Sequence, residues 1–219
     1  RIETLMKEEK EQEALTRIYE LKALTSQINP HFLYNPLDTI IWMAEFQDHQ
    51  KVVDITKALS NYFRLSLNAG EEIVTLRQEI EHVRQYLFIQ KERYGDKLEY
   101  EIDEPNAIPD IKLPKIVLQP LVENAIYHGI KESERPGKIT ITVSKRDTFI
   151  DICIADNGVG IKENTTSTKE LGGVGIKNIK ERLTLFFGEA FSMEIESEPN
   201  AYTKVYLHLP LKEEGHANS

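Results

Sequence analysis

Asp156 closes an apolar run and opens the turn Asp156-Asn157-Gly158-Val159-Gly160. A carboxylate at a strand end can accept a hydrogen bond from the exocyclic amine of adenine, and guanine has no donor there. Gly158 and Gly160 would let backbone come close to a flat base. The same residues also suit an ordinary tight turn, since Asp-Asn-Gly is a strong turn signal. Further on, Gly172-Gly173-Val174-Gly175-Ile176-Lys177-Asn178 runs straight into a helical pattern. Amides at a helix N-terminus bind phosphate well, although glycines there can serve only as a linker or a helix start. Upstream lies Glu123-Asn124-Ala125-Ile126-Tyr127-His128-Gly129. The amide oxygen of Asn124 can ligate Mg²⁺, which prefers oxygen. Glu123 precedes it, and His128 shares its helical face. One Asn on a polar helix face would mean little. Three such motifs in this order describe a pocket for ATP.

A nucleotide pocket needs something to phosphorylate. Gln27-Ile28-Asn29-Pro30-His31-Phe32-Leu33-Tyr34-Asn35-Pro36 holds a histidine between two prolines in an otherwise helical pattern. Gln27, Asn35 and Asp38 stand at helical spacing from His31 and give it an exposed polar face. Each proline removes a backbone donor and bends the helix nearby. His31 is the candidate phosphoacceptor. Asn35, one turn later, either acts beside it or satisfies a carbonyl freed by the bend.

These residues need scaffolding. Residues 1–25 carry an imperfect heptad seam (Leu5, Gln12 and Tyr19, then Leu15, Ile18 and Leu21), which predicts a coiled-coil signalling helix or a solvated tail helix. Helical spacing continues over Leu24, Ile28, Leu33, Leu37, Ile40 and Ile41, and a second helix is predicted over 52–67. Asn68-Ala69-Gly70 breaks it. Thr75-Leu76-Arg77-Gln78 has capping-box form and starts a third. The whole of 1–94 thus reads as helix. After Gly95 the texture changes: Leu98, Tyr100 and Ile102 alternate with charged residues, as in a half-buried strand. Pro114 opens a helix through Ile126. Strands are predicted at 138–145 and 149–155, a polar lid loop at 162–170, a helix at 174–187, and closing strands at 191–197 and 202–209. The fold class is α+β, a helical hairpin followed by an α/β sandwich. The expected domains are 1–25, the signalling helix; 26–94, dimerisation and phosphotransfer; 95–211, ATP-binding; and 212–219, a disordered tail.

The net charge of −9 disfavours a nucleic-acid partner, because phosphate backbones reward a basic face. The lone Cys153 forms no internal disulfide and fits a reducing compartment. No apolar run approaches the roughly 20 residues that span a bilayer. The first residue is Arg1, within a helical pattern, so the chain reads as a piece of something longer.

With these motifs the chain resembles a two-component sensor histidine kinase of the LytS/YesM-like group, whose phosphoacceptor motif is similar to Gln-Ile-Asn-Pro-His-Phe-Leu-Tyr-Asn. The resemblance covers nearly the whole chain, and Arg93-Tyr94-Gly95-Asp96-Lys97-Leu98 belongs to it as well. It implies a GHKL (Bergerat-type) ATP-binding domain, with Asn124 on Mg²⁺ and Glu123 as a second candidate ligand. It further implies that Asp156, Gly158 and Gly160 shape the adenine pocket. His128, Gly173, Gly175 and Asn178 would complete the nucleotide site. His31 Nε2 would attack the γ-phosphate, and the phosphoryl group would pass to an aspartate on a response-regulator receiver domain. The implied assembly is a homodimer, a cytoplasmic fragment of a sensor anchored in the plasma or inner membrane. Asn35 stands where related kinases carry an amide or hydroxyl for removing phosphate from the regulator.

Three positions depart from the pattern. Phe32 replaces an acidic residue that many histidine kinases carry beside the acceptor. Tyr127 replaces a common Lys, leaving His128, Lys131 or Arg135 to contact phosphate. Leu171 replaces the first glycine of the lid motif. Two other readings use the same motifs: a GHKL ATPase whose nucleotide only drives a clamp, and a dimeric relay with a vestigial nucleotide site.

Overall fold

The computed structural model describes residues 30–67, 71–161 and 173–211. The coiled-coil, lid-loop and tail expectations, and the break at Asn68-Ala69-Gly70, lie outside them. Packing divides the chain into two units, Arg1–Val52 and Val53–Ser219.

In the first unit, helix α1 spans Pro30–Glu45, with Pro36 inside it. The loss of a donor at Pro36 is tolerated, and Thr39 Oγ1 adds a bond to the Asn35 carbonyl at 2.9 Å. The helix stops where Gln47 turns to a φ of 58°. Helix α2, His49–Leu67, starts at once, and the Asp48 side chain accepts from Lys51 N at 3.2 Å, in the manner of an N-cap. Tyr34, Ile41, Trp42 and Phe46 leave α1 largely exposed to solvent.

The second unit takes up α2 from Val53 onward. Ile55, Ala58, Leu59 and Tyr62 are buried at helical spacing. Strand β1, Ile73–Thr75, follows, and then helix α3, Leu76–Tyr94. The expected capping box is present: Thr75 N takes Gln78 Oε1 at 2.8 Å, and Gln78 N takes Thr75 Oγ1 at 3.2 Å. Gly95, at φ 58°, ends α3. The change from helix to strand comes at Gly95, as the sequence predicts.

Strand β2 is Leu98–Asp103 and β3 is Lys112–Pro114. Helix α4, Leu118–Asn124, runs on into a π-helical stretch, Ala125–Ile130. Strands β4 (Gly137–Lys145) and β5 (Phe149–Asp156) precede helix α5 (Gly173–Phe187). Strands β6 (Ser192–Glu198) and β7 (Tyr202–Pro210) close the sheet. The five-stranded sheet has order β2-β4-β5-β7-β6. Only β2–β4 is parallel within it, and the other pairings are antiparallel. Ile139, Ile141 and Val143, then Ile150, Ile152 and Ile154, then Val205, Leu207 and Leu209 turn inward. On the helices Ile80, Val83, Leu118, Leu121, Ile126, Ile179 and Leu183 are buried as well. The alternate residues face out, which gives the period of two read from the sequence.

Two expectations are corrected. Residues 1–94 are not all helical, because β1 pairs antiparallel with β3, Val74 opposite Leu113. Pro114 does not open a helix; it ends β3, and α4 begins at Leu118. The reason is tertiary. The buried Glu79 carboxylate of α3 takes the amides of Ile116, Val117 and Leu118 at 2.6, 2.8 and 3.0 Å. It thereby caps α4 from another element.

Candidate functional site

The site is built on the pedestal under α4. Ile116 sits at φ 56°, a strained position for a β-branched residue. It is held there by Glu79 on one side and by Arg182, whose Nη2 donates to the Lys115 carbonyl at 2.7 Å. Lys115, itself buried, pairs with Glu72 at 3.0 Å. Burial outweighs the three amide bonds and raises the Glu79 carboxyl above the ordinary carboxylate range.

From this fixed start, α4 carries Glu123 and Asn124 to its end. The π stretch that follows widens the turn, with Lys131 N reaching the Ile126 carbonyl at 2.9 Å. Such stretches recur at functional sites. It presents Gly129 to the end of β5. Val159 N donates to the Gly129 carbonyl at 3.1 Å. A Cβ on Gly158 would lie 2.3 Å from the Gly129 carbonyl carbon, so the loop and the helix touch backbone to backbone. Gly160, at φ 65°, abuts the Glu198 carbonyl, where a Cβ would come within 2.1 Å.

Asp156 lies in this contact, buried, with Gly158 N on its Oδ1 at 2.9 Å. That is its one hydrogen bond among the described residues. Burial pushes its carboxyl up from 3.8 to about 6, against the pull of that bond. Asn157 faces the other way and closes the loop onto β4: Lys138 N takes its Oδ1 at 2.6 Å, and its Nδ2 reaches the Pro136 carbonyl at 3.2 Å.

The Asn124 amide nitrogen Nδ2 is wholly buried and unpartnered among the described residues. Buried polar groups nearly always find a partner, so a carboxamide with unused capacity fits a residue kept for a ligand. Glu123 is half-buried, accepts from Gln119 Nε2 at 2.8 Å, and has its carboxyl raised by burial. The Oδ1 of Asn124 and the carboxylate of Glu123, on consecutive residues at the end of α4, are oxygen donors of the kind Mg²⁺ accepts when phosphates complete its shell. Asn124 and Glu123 therefore fit the ion.

Residues 19–98 match the family model described as histidine kinase, and residues 110–213 match histidine kinase-, DNA gyrase B- and HSP90-like ATPase. The chain belongs to the sensor histidine kinase family. It is 35% identical to the sensor histidine kinase YesM of Bacillus subtilis (strain 168), over 98% of this chain and 37% of that protein. It is also 35% identical to the sensor histidine kinase BtsS of Escherichia coli (strain K12), over 93% of this chain and 35% of that protein. The chain thus spans a little over a third of the length of these relatives. The histidine kinase domain of the Erythrobacter litoralis EL346 blue-light activated histidine kinase has the same fold, at a TM-score of 0.51 and 12% identity, covering 83% of this chain and 96% of that one. The ATPase match implies that residues 110–213 form an ATP-binding domain.

The remaining predicted residues fall as follows. His128 is exposed on the π stretch, while Asn124 is half-buried. Gly173 is the first residue of α5, and Gly175 and Asn178 lie in its first turns, with Asn178 exposed. Helix α5 packs against α4 and β3. Gly172 and Leu171 lie outside the described residues. His31 is the second residue of α1, in the first unit, and its side chain also lies outside what is described. Asn35 is half-buried one turn later.

Arg135 Nη2 donates to the carbonyls of Gly158, Asn200 and Ala201 at 3.0, 2.9 and 2.9 Å, fastening the Asp156 loop to the β6–β7 turn. Lys131 Nζ stands 5.7 Å from the Tyr127 ring centroid. Sequence reasoning missed Glu79, Ile116 and Gln119. No local pattern marks the Glu79–Ile116 and Gln119–Tyr62 bonds, because each joins segments distant in the chain. Gly129 closes the Glu123–Gly129 motif, and its place in that motif was the signal available.

Proposed function

We propose that this chain is the kinase part of a two-component sensor, phosphorylating its own His31 with ATP and passing the phosphoryl group to an aspartate of a response-regulator receiver domain. The observation that carries the reading is the meeting of a buried, sparsely bonded Asp156 with the helix that bears the unpartnered Asn124, in a chain that also displays a proline-flanked histidine.

The chemistry follows from those residues. Asp156 accepts from the adenine amine and rejects guanine. Gly158 and Gly160 serve the site by letting the Asp156 loop close onto Gly129 and onto Glu198, which sets Asp156 in place. Asn124, with Glu123 beside it, holds Mg²⁺. The ion, when bound, offsets charge on the phosphate oxygens, and catalysis is mostly positioning and charge neutralisation. The amides of Gly173 and Gly175 at the start of α5 bind phosphate, with Asn178 and His128 at the rim. His31 Nε2 attacks the γ-phosphorus, the bond to the bridging oxygen breaks, and ADP leaves. Asn35 orients water for dephosphorylating the regulator.

The exposed Tyr34, Ile41 and Trp42 of α1, with Phe46 just after it, support a homodimer, since large apolar side chains exposed together call for a partner. No described helix is long and apolar enough to cross a membrane. The membrane anchor of the sensor belongs to the rest of the proposed parent protein.

Incubation with γ-labelled ATP tests the reading. Acid-labile label on the protein is expected. Free phosphate alone would mean a clamp ATPase, and neither product would mean a relay without catalysis.

A further inference from the structure

Among the described residues Asn124 Nδ2 has no partner, but the neighbouring Glu123 carboxylate has one. Gln119 Nε2 donates to Glu123 Oε1 at 2.8 Å and to the Tyr62 hydroxyl at 2.7 Å. An amide nitrogen has two hydrogens, so this one is fully committed. Gln119 and Tyr62 are 7% and 6% exposed. Tyr62 is fixed in turn. Its ring stacks on His82 at 4.6 Å between centroids and 14° between planes. Ser66 Oγ bonds both the Tyr62 carbonyl, at 2.8 Å, and His82 Nε2, at 2.7 Å.

A line of buried polar side chains therefore runs from α2 and α3 into α4 and ends on the residue before Asn124. Apolar packing alone does not call for it, because Phe at 62 and Leu at 119 would fill nearly the same space. Buried polar networks of this kind fix one geometry when every member is satisfied. Here the member at the end is a carboxylate whose single hydrogen bond, among the described residues, is to Gln119.

We propose that Gln119 and Tyr62 are positioning residues for the nucleotide's metal, holding the Glu123 carboxylate so that Glu123 and Asn124 act on Mg²⁺ together. The proposal rests on the reading of Asn124 and Glu123 as the Mg²⁺-binding pair. Without the Gln119 bond the carboxylate is free to rotate toward water. Tyr62 then acts only through Gln119, and Gln119 only through Glu123.

The test is calorimetric titration of the full chain with ADP, once with Mg²⁺ and once with EDTA. The proteins are wild type, Tyr62→Phe, Gln119→Leu, Glu123→Gln and the double variant Tyr62→Phe/Glu123→Gln. The gain in ADP affinity on adding Mg²⁺ should shrink about three- to tenfold in Tyr62→Phe and Gln119→Leu, the scale of one hydrogen bond's net worth. Affinity in EDTA should stay within about twofold of wild type, since the adenine end is untouched. In the Glu123→Gln background, Tyr62→Phe should cost nothing more, because residues acting through one group are not additive. Should Gln119→Leu fail to fold, Tyr62→Phe, which loses one oxygen atom, carries the test. A wild-type gain in the variants, an equal loss in EDTA, or additive losses would overturn the proposal alone. A wild-type chain that binds ADP without any gain from Mg²⁺, or not at all, would overturn the parent reading with it.

Discussion

Gly129 and Asp156 leave no room between them for a side chain: a Cβ on Gly129 would fall 2.4 Å from Asp156 Oδ1. The end of the Asn124 helix and the end of β5 are thus in contact through a glycine and a carboxylate. Gly129→Ala must push that carboxylate aside or pull the helix back. Overpacking of this kind costs about 1–3 kcal/mol. Nucleotide affinity is expected to fall more than tenfold, with a lower midpoint in urea. An alanine variant that binds ATP as wild type does would mean that the Asp156 position is immaterial.

Asp156→Asn should weaken ATP binding about ten- to a hundredfold, the scale of a charge-assisted hydrogen bond. The pH dependence gives a sharper check. Burial raises the carboxyl from 3.8 to about 6, so the unliganded site is protonated below that value and ionised above it. An ionised Asp156 is the better acceptor for the adenine amine. ATP affinity should therefore rise as pH climbs through about 6 and then level off, while Asp156→Asn stays flat. The stability of the free chain runs the opposite way. A carboxyl whose folded value is raised favours the fold below its unfolded value near 3.8, and that contribution is lost as pH rises through about 6. Titrations and melts from pH 4.5 to 8 would show both trends. Parallel trends would contradict the assignment.

Glu79→Gln tests the pedestal. One carboxylate oxygen becomes an amide donor aimed at backbone N–H groups that are themselves donors. A buried donor left unsatisfied costs about 1–3 kcal/mol. The unfolding free energy should drop by that amount, lowering the urea midpoint, and ATP affinity should fall as α4 shifts. An unchanged midpoint would show that Ile116, Val117 and Leu118 hold their conformation unaided.

Asn35→Ala should leave autophosphorylation near normal and abolish dephosphorylation of the regulator in the presence of ADP. Asn35 follows His31 by four positions in α1, the spacing of one helical turn. Dephosphorylation rates equal to wild type would return Asn35 to a structural role within α1.

The sheet was legible because β4, β5 and β7 alternate strictly, Ile139 to Val143 and Ile150 to Ile154 inward. The start of α3 was legible because Thr75 and Gln78 cap it locally. The Asp156–Gly160 turn was legible because its residues both make the turn and meet the neighbouring helix. What stayed hidden is tertiary. Strands β1 and β3 have three residues each, too few to show a period. Pro114 looked like a helix start because Pro favours the first turn, yet Pro also suits the end of a short strand. The true start at Leu118 is set by Glu79, which no reading of the local sequence can associate with it. The bonds of Arg135 to the Asn200 and Ala201 carbonyls were hidden because those partners are distant in the chain.

The central claim is that His31 is the phosphoacceptor served by the Asn124–Asp156 pocket. The most direct measurement is to incubate wild type and His31→Gln with γ-labelled ATP and Mg²⁺, then map the label by peptide. The prediction is acid-labile label on the wild-type peptide containing His31, and none on a variant that still binds ATP with wild-type affinity. Stable labelling of His31→Gln, with the phosphoryl group on another side chain, would contradict it.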